Sequence, residues 1–143
     1  MHYDLCTYNI RGLNNKQSFV KDFIDLHHLS FIVLLETHVL ETSALSISKF
    51  IGPKFSWLFN YSQHYHGRIW IGFDPKVWKV TSMVYSAQHH TCSILRIDGG
   101  LEFYASFIYG SNASMERRAL WADLLEFKAS IPSHASWCAL GEF

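Results

Sequence analysis

Four apolar segments of the sequence each end in a polar side chain of a type that takes part in catalysis. These side chains belong to Asn9, Glu36, Tyr109 with Asn112, and Glu142. Carboxylates, amides and phenols can bind cations, donate or accept hydrogen bonds and move protons. Taken singly, each residue has an ordinary structural role as a turn former, a solvated strand end or a rim aromatic. Because functional groups collect where the carboxyl ends of strands leave a sheet, their order along the chain predicts one shared site.

The elements that would position these residues can be predicted from the pattern of apolar residues. The pattern predicts strands that deliver the polar residues at 3–9, at 30–35, at 101–108 and in the segment that runs into Glu142. A helix capped by Asn15 should follow the first strand, and a helix capped by Ser114 should follow the third. Segment 42–50 is predicted to be irregular, with one short helix. Four shorter strands complete the prediction, at 56–61, 68–73, 77–85 and 91–97.

This order of elements indicates the fold class. Strand–helix–strand, then a meander, then strand–helix–strand predicts a mixed α/β sandwich in one domain covering residues 1–143. The hydrophobic fraction of 49% and the aromatic fraction of 16% are typical of a globular chain with a substantial core. The formal net charge is zero, so no global field draws the chain to nucleic acid or to a membrane, although a local basic groove can suffice for DNA.

Cysteine usage and the absence of a leader favour an intracellular protein of the nucleus or cytoplasm. The three cysteines form no CxxC pair, and we expect free thiols without a disulfide partner. No apolar stretch is long enough to span a bilayer, and the first residues do not have the pattern of a signal peptide. We therefore predict no membrane association.

Histidines, arginines and tryptophans offer alternative sites, and for each an ordinary structural role is the prediction. The nine histidines include close pairs but no spacing typical of a zinc module, so we predict that they lie on polar loops. Arg117 and Arg118 are assigned to a solvated helix face. The tryptophans are assigned to the core, at positions 57, 70, 78, 121 and 137.

Six segments together resemble the endonuclease/exonuclease/phosphatase superfamily. The closest resemblance is to the endonuclease domain of LINE-type (non-LTR) retrotransposons, particularly those of plants. It covers essentially the whole chain. The matching segments are YNIRGLN at 8–14, LLETH at 34–38, GRIWI at 67–71, YGSN at 109–112, ERRALW at 116–121 and GEF at 141–143.

The resemblance implies a nuclease that uses Mg²⁺ or Mn²⁺ to hydrolyse phosphodiester bonds in DNA, with RNA as a further substrate class. Glu36 would be the principal metal ligand, and Asn9 would orient it and a phosphate oxygen. Tyr109 and Asn112 would hydrogen-bond the scissile phosphate. Glu142 stands where the family has an aspartate that positions or activates the attacking water.

Contacts to the substrate are implied for three residues near the 67–71 segment, namely His64, His66 and Arg68. In the family the loop before this segment lies near the DNA. Unlike the catalytic set, these residues would bind the substrate without taking part in the reaction.

The chain also departs from the family pattern. Glu142 is longer than aspartate by one methylene, which moves the carboxylate by roughly 1 Å, and displacements of that size can cost about a hundredfold in rate. The family's asparagine two residues later and its late aspartate and histidine have no counterpart in the sequence. The resemblance therefore implies a partial four-layer α/β sandwich, truncated after about its first half and expected to be inactive alone. The alternatives are a non-catalytic degenerate remnant or interaction module, and a phosphatase or RNA phosphodiesterase of the same superfamily.

Overall fold

The computed structural model describes residues 5–62 and 66–143, and within these ranges the chain forms eight strands and three helices. The strands are β1 (Leu5–Asn9), β2 (Phe31–Leu35), β3 (Ser56–Phe59), β4 (Ile69–Phe73), β5 (Trp78–Tyr85), β6 (His89–Arg96), β7 (Glu102–Tyr109) and β8 (Trp137–Glu142). The helices are α1 (Gln17–Leu26), α2 (Glu41–Ile51) and α3 (Ser114–Ser130).

The strands form two four-stranded sheets. The first sheet has the order β1-β2-β4-β3 and the second has the order β5-β6-β7-β8. In each sheet one pair is parallel, β1 with β2 and β7 with β8, and each parallel pair is joined by a helix. A parallel pair brings the carboxyl ends of its strands to the same edge of the sheet. The residues that follow β1 and β2 are therefore neighbours, as are those that follow β7 and β8.

The two sheets pack face to face, and helices cover their outer faces. β2 is buried on both faces because Phe31, Val33 and Leu35 point between the sheets whereas Ile32 and Leu34 pack against the helices. This double burial explains the continuous apolar run, since a strand with one solvated face would alternate apolar and polar residues.

The outer layers complete the sandwich. Helices α1 and α2 share the outer core of the first sheet, through Val20 and Ile24 on α1 and through Ala44, Ile47 and Ile51 on α2. Helix α3 covers the second sheet, where Leu120 and Leu124 pack on Ile108. The predicted mixed α/β sandwich is confirmed, with helix, sheet, sheet and helix as successive layers.

Three local predictions are wrong. Segment 42–50 lies wholly within one helix, α2, because Ala44, Ile47 and Ile51 bury one face, and this packing outweighs the helix-weakening serines. Helix α1 is preceded by Lys16 rather than by a capping Asn15, and α3 begins with Ser114 itself. Neither of these two helices has a side-chain hydrogen bond at its cap.

The structure also corrects the predictions for two histidines and one tryptophan. His89 and His90 lie buried at the start of β6 and not on a polar loop. Trp121 is 41% exposed on α3, whereas Trp70 and Trp78 are in the core as predicted.

Arg117 is not on a solvated helix face. Its Nη1 donates to the carbonyl oxygens of Ser111 and Asn112, at 2.8 and 2.9 Å. These bonds tie the first turn of α3 to the loop that precedes it.

The described cysteines, Cys6, Cys92 and Cys138, are all free. Across residues 5–62 and 66–143, no helix has the length and apolar character needed to cross a membrane.

Candidate active site

The ends of β1 and β2 stay paired after the regular strands stop. The backbone N–H of Gly12 donates to Glu36 O at 2.8 Å, and that of Leu13 donates to Thr37 O at 2.8 Å. Thr37 is also tied to the segment before β4, since its hydroxyl donates to Gly67 O at 3.2 Å. The backbone that carries Glu36 is thus fixed from both neighbouring strands.

This pairing forces three residues other than glycine into the left-handed backbone region. The φ angles are 50° at Arg11, 59° at Glu36 and 52° at His38. Such conformations cost on the order of 1–3 kcal/mol each and persist where the surroundings impose them, often at functional sites. With this backbone conformation, the Glu36 side chain reaches Asn9 on the first sheet and Tyr109 on the second.

The Glu36 carboxylate accepts hydrogen bonds from three side chains, those of His38, Asn9 and Tyr109. The His38 Nε2 to Glu36 Oε1 distance is 3.2 Å. Burial raises the pKa of Glu36, but these hydrogen bonds outweigh it and lower the pKa below its ordinary value. The side chain is 22% exposed, so this ionised carboxylate can still be reached from solvent.

Tyr109 connects the second sheet to Glu36. It ends β7 and is paired in register with Glu142 at the end of β8. Burial raises the pKa of Tyr109, the charge of Glu36 and the hydrogen bond to it raise it further, and Glu142 adds a smaller effect of the same sign. The charge of Arg68 acts in the opposite direction. Tyr109 therefore lies within electrostatic range of Glu36, Arg68 and Glu142.

Glu36 and the three side chains that donate to it, those of Asn9, His38 and Tyr109, form the carboxylate cluster. Two cavities open beside this cluster, and His66 and Arg68 line both of them. The larger cavity has a volume of about 760 Å³ and also contacts Tyr109, Asn112 and the loop between them. The smaller one has a volume of about 220 Å³ and extends toward His38. Arg68 therefore stands between two spaces that open beside the carboxylate cluster.

Most of the predicted site residues come together at this rim. Asn9, Glu36 and Tyr109 are linked by hydrogen bonds, and Arg68 and Glu142 lie within electrostatic range of Tyr109. Glu142 is exposed at its strand end.

The other predicted residues are farther from the Glu36 carboxylate or cannot be placed. Asn112 is exposed in the loop after β7 and lines the larger cavity together with His66. His64 lies outside the described residues.

Sequence reasoning assigned no role to three residues that organise the site: His38, Gln88 and Asn60. His38 is two residues from Glu36 and was visible within the LLETH motif, but its hydrogen bond depends on the left-handed backbone at both residues. Gln88 and Asn60 carry no local signal, since each makes its contacts with residues distant in sequence.

The donor set suits a hard divalent cation. Glu36 offers an ionised carboxylate, and Asn9 offers the second lone pair of its Oδ1, which accepts from Arg11 N–H at 3.1 Å. Mg²⁺ is commonly held by one or two carboxylates, with the remaining positions taken by water and phosphate. In the part of the chain that the structure describes, no group of three or more His, Cys, Asp or Glu side chains could hold a metal ion. The chemistry of Glu36 and Asn9 therefore fits Mg²⁺ or Mn²⁺ better than zinc.

Solved structures with the same arrangement of elements exist. The endonuclease domain of TRAS1, a telomere-specific non-LTR retrotransposon, superposes with a TM-score of 0.72 at 6% identity, over 95% of this chain and 58% of that domain. An endonuclease/exonuclease/phosphatase family protein from Bacteroides thetaiotaomicron gives 0.69 at 11% identity, over 94% and 60%. TDP2 from D. rerio, solved with a single-stranded DNA product, gives 0.66 at 13% identity, over 94% and 58%.

These similarities define the fold of the chain. It has the fold of the endonuclease/exonuclease/phosphatase proteins, and one of the solved structures that share it is a retrotransposon endonuclease domain. The chain spans about three-fifths of the length of these three solved chains. Compared by sequence alone, it matches no family model and no curated protein.

Proposed function

We propose that the chain is a divalent-metal-dependent phosphodiesterase domain that acts on nucleic acid, of the type found in the DNA-nicking endonucleases of LINE retrotransposons. The observation that carries this proposal is the ionised Glu36 carboxylate, which accepts hydrogen bonds from Asn9 on one sheet and Tyr109 on the other. A cluster of this kind combines a cation ligand with donors for a phosphate. Support for nucleic acid as substrate comes from the fold, since one solved structure with this fold holds single-stranded DNA.

In this proposal Glu36 and Asn9 hold the metal. A bound Mg²⁺ or Mn²⁺ would polarise a phosphoryl oxygen and stabilise the negative charge that develops on it. The hydrogen bonds from His38, Asn9 and Tyr109 favour the ionised form of Glu36, since together they outweigh burial and lower the pKa of its carboxyl group. The cation-binding form of the side chain is thus the prevailing form at neutral pH.

The phosphodiester is held by residues of both sheets. Asn112 donates a hydrogen bond to a phosphate oxygen, and the Tyr109 hydroxyl turns from Glu36 to the phosphate when substrate binds, since a phenol has one proton to donate. Arg68, in the lining of the larger cavity, supplies positive charge. His66 lines the same cavity, and with His64 it completes the proposed substrate contacts. A phosphate placed between Arg68 and Tyr109 can also be reached from the Glu36 side.

Glu142 is the proposed group that orients the attacking water. It lies opposite Tyr109 in the parallel β7–β8 pair and is exposed to solvent at its strand end. An exposed carboxylate can accept a hydrogen bond directly from the attacking water, which is what this role requires.

A second candidate function is a nucleic-acid-binding module without hydrolysis. It is favoured by the fact that the Glu36 carboxylate already accepts hydrogen bonds from three protein side chains, those of His38, Asn9 and Tyr109. A thermal transition that does not respond to Mg²⁺ would favour this candidate over the metal-dependent one.

Nicking of supercoiled plasmid tests the proposal. The wild-type chain should nick in Mg²⁺ and lose this activity in a chelator, and Glu36→Gln should lower the rate by at least the roughly 10- to 100-fold typical of changes around a metal site. Glu41→Gln is the matched control, because this exposed glutamate opens α2 away from the cluster and its variant should retain the wild-type rate. Equal, near-background nicking by the wild type, Glu36→Gln and Glu36→Ala would remove the claim of activity. A parallel single-stranded RNA substrate distinguishes the two nucleic-acid classes.

A further inference from the structure

Gln88 makes hydrogen bonds to both sides of the loop that carries Asn112. Its side-chain Oε1 accepts from the Ser111 backbone N–H at 2.8 Å, and its Nε2 donates to Glu116 O at 2.8 Å. Its own backbone oxygen accepts from Tyr109 N–H at 2.8 Å. One residue therefore fixes Tyr109, the middle of the loop and the first turn of α3.

The same loop is also held from α3. The Ser111 hydroxyl donates to the Glu116 carboxylate in a short hydrogen bond, and it accepts from Ala113 N–H at 3.1 Å. Arg117 also holds the loop, because its Nη1 donates to the carbonyl oxygens of Ser111 and Asn112. Asn112 and Ala113 are exposed, but the loop is held on both sides, and Gln88 ties it to the second sheet.

Asn60 ties the turn that contains Gln88 to the other sheet. Its side chain is fully buried, with 0% exposure. Its Oδ1 accepts from Ile69 N–H at 2.9 Å, and its Nδ2 donates to Ser86 O at 2.9 Å. Ile69 directly follows Arg68, so Asn60 links the Arg68 side of the larger cavity to the Gln88 side.

We propose that the β5–β6 turn (Ser86, Ala87 and Gln88), together with Asn60, is a bracket that fixes the distance between the two halves of the site. One half consists of Glu36 and Arg68 on the first sheet, and the other of Tyr109 and its loop on the second. Gln88 is a positioning residue, because each end of its amide is already bonded to protein. The catalytic meaning of the bracket rests on the proposed function, whereas its effect on the loop does not.

The bracket explains how a site divided between two sheets keeps one geometry. Apolar packing between the sheets is non-directional, so it tolerates small sliding motions of one sheet over the other. Hydrogen bonds weaken steeply when their distance or angle changes, so they resist such motions. Displacements of about 1 Å at a reacting group can lower a rate by about a hundredfold. Fixed donors and acceptors at Asn60 and Gln88 oppose such displacements.

The test compares Gln88→Met, which keeps the length of the side chain but removes both of its hydrogen bonds, with Gln88→Glu, which keeps the acceptor for Ser111 N–H. Gln17→Met is the matched control, since Gln17 donates to one backbone carbonyl, that of Asn14, at the start of α1. Amide hydrogen exchange at Ser111 is measured by NMR, and kcat and KM are measured for the Glu36-dependent cleavage.

In Gln88→Met, exchange at Ser111 should be roughly fivefold faster or more, as expected for the loss of one neutral hydrogen bond. Its kcat should fall by roughly tenfold or more with KM changed less, because positioning is lost rather than binding. Gln88→Glu should recover the protection of Ser111 and part of kcat, and Gln17→Met should match the wild type.

Unchanged exchange at Ser111 in Gln88→Met would overturn the bracket. Faster exchange with a wild-type kcat would overturn its role in positioning, and equal losses in Gln17→Met would show a general loss of stability instead. If the wild-type chain has no Glu36-dependent cleavage, the proposed function fails, and exchange at Ser111 alone then decides whether the bracket exists.

Discussion

Acidification from pH 7 to pH 5 should destabilise the chain by about 2 kcal/mol through His90 alone. His90 is buried in β6 beside Tyr85, and its Nε2 is 2.8 Å from Ser82 Oγ. Its buried Nδ1 has no hydrogen-bond partner among the described residues. Burial, with a smaller effect from His89, lowers the pKa of His90 to about 4. A proton on Nδ1 would place an unpaired charge in the core.

The magnitude follows from the difference between the folded and unfolded pKa values. The ordinary value is 6.5, so between pH 6.5 and about 4 the unfolded chain binds more protons at this residue than the folded chain. The stability contribution is therefore fully present above pH 6.5 and is lost as the pH falls toward 4. One pKa unit corresponds to about 1.4 kcal/mol, which gives about 2 kcal/mol at pH 5 and about 3 kcal/mol below pH 4. Against a typical total of about 5–15 kcal/mol, this loss is readily measured.

The assay is urea unfolding at pH 7 and pH 5, followed by tryptophan fluorescence. His90→Gln removes the titration while it keeps a donor near Ser82, so the pH-dependent loss should be smaller than in the wild type by about 2 kcal/mol. His134→Gln, at an exposed position in the loop before β8, is the matched control and should keep the wild-type loss. The reasoning is refuted if His90→Gln and the wild type lose the same free energy of unfolding between the two pH values.

Two further predictions concern the backbone and the buried amide. Gly141 has a φ of 132°, and a Cβ there would overlap a backbone carbonyl of β7, so Gly141→Ala should cost about 3 kcal/mol or more in urea unfolding. Gly99→Ala, with a φ of 79° and open space around it, should cost only about 1–2 kcal/mol, and equal costs would contradict the steric argument. Asn60→Ala leaves one buried backbone group, Ile69 N–H, and one part-buried group, Ser86 O, without this partner, and should lose about 2–3 kcal/mol by the same measurement. Asn112→Ala, at an exposed loop position, should stay within about 0.5 kcal/mol, and similar losses in both variants would argue against the role of the buried amide.

The rim residues that come together are those whose signal is local. Asn9, Glu36, Tyr109 and Glu142 each end an apolar strand, and the parallel pairs β1–β2 and β7–β8 bring those ends to shared edges. The amphipathic α2 shows the limit of local reasoning. Its three serines weaken the helix signal of segment 42–50, and tertiary burial of one face decided its state.

The sequence by itself determined the strands, their polar ends and the fold class, because alternation, continuous apolar runs and turn residues act over a few neighbouring positions. Only the tertiary structure decided that His38 turns back onto Glu36, that His90 is buried at the start of β6, and that Gln88 and Asn60 join the two halves of the site. These outcomes depend on a left-handed backbone at Glu36 and His38 and on partners up to 28 residues away, such as Glu116 O for the Gln88 side chain. The long-range contacts of Gln88 and Asn60 arise when two sheets pack, and no short sequence window contains both partners. His38 and Glu36 are close in sequence, but their contact depends on the backbone conformation that the paired strand ends impose.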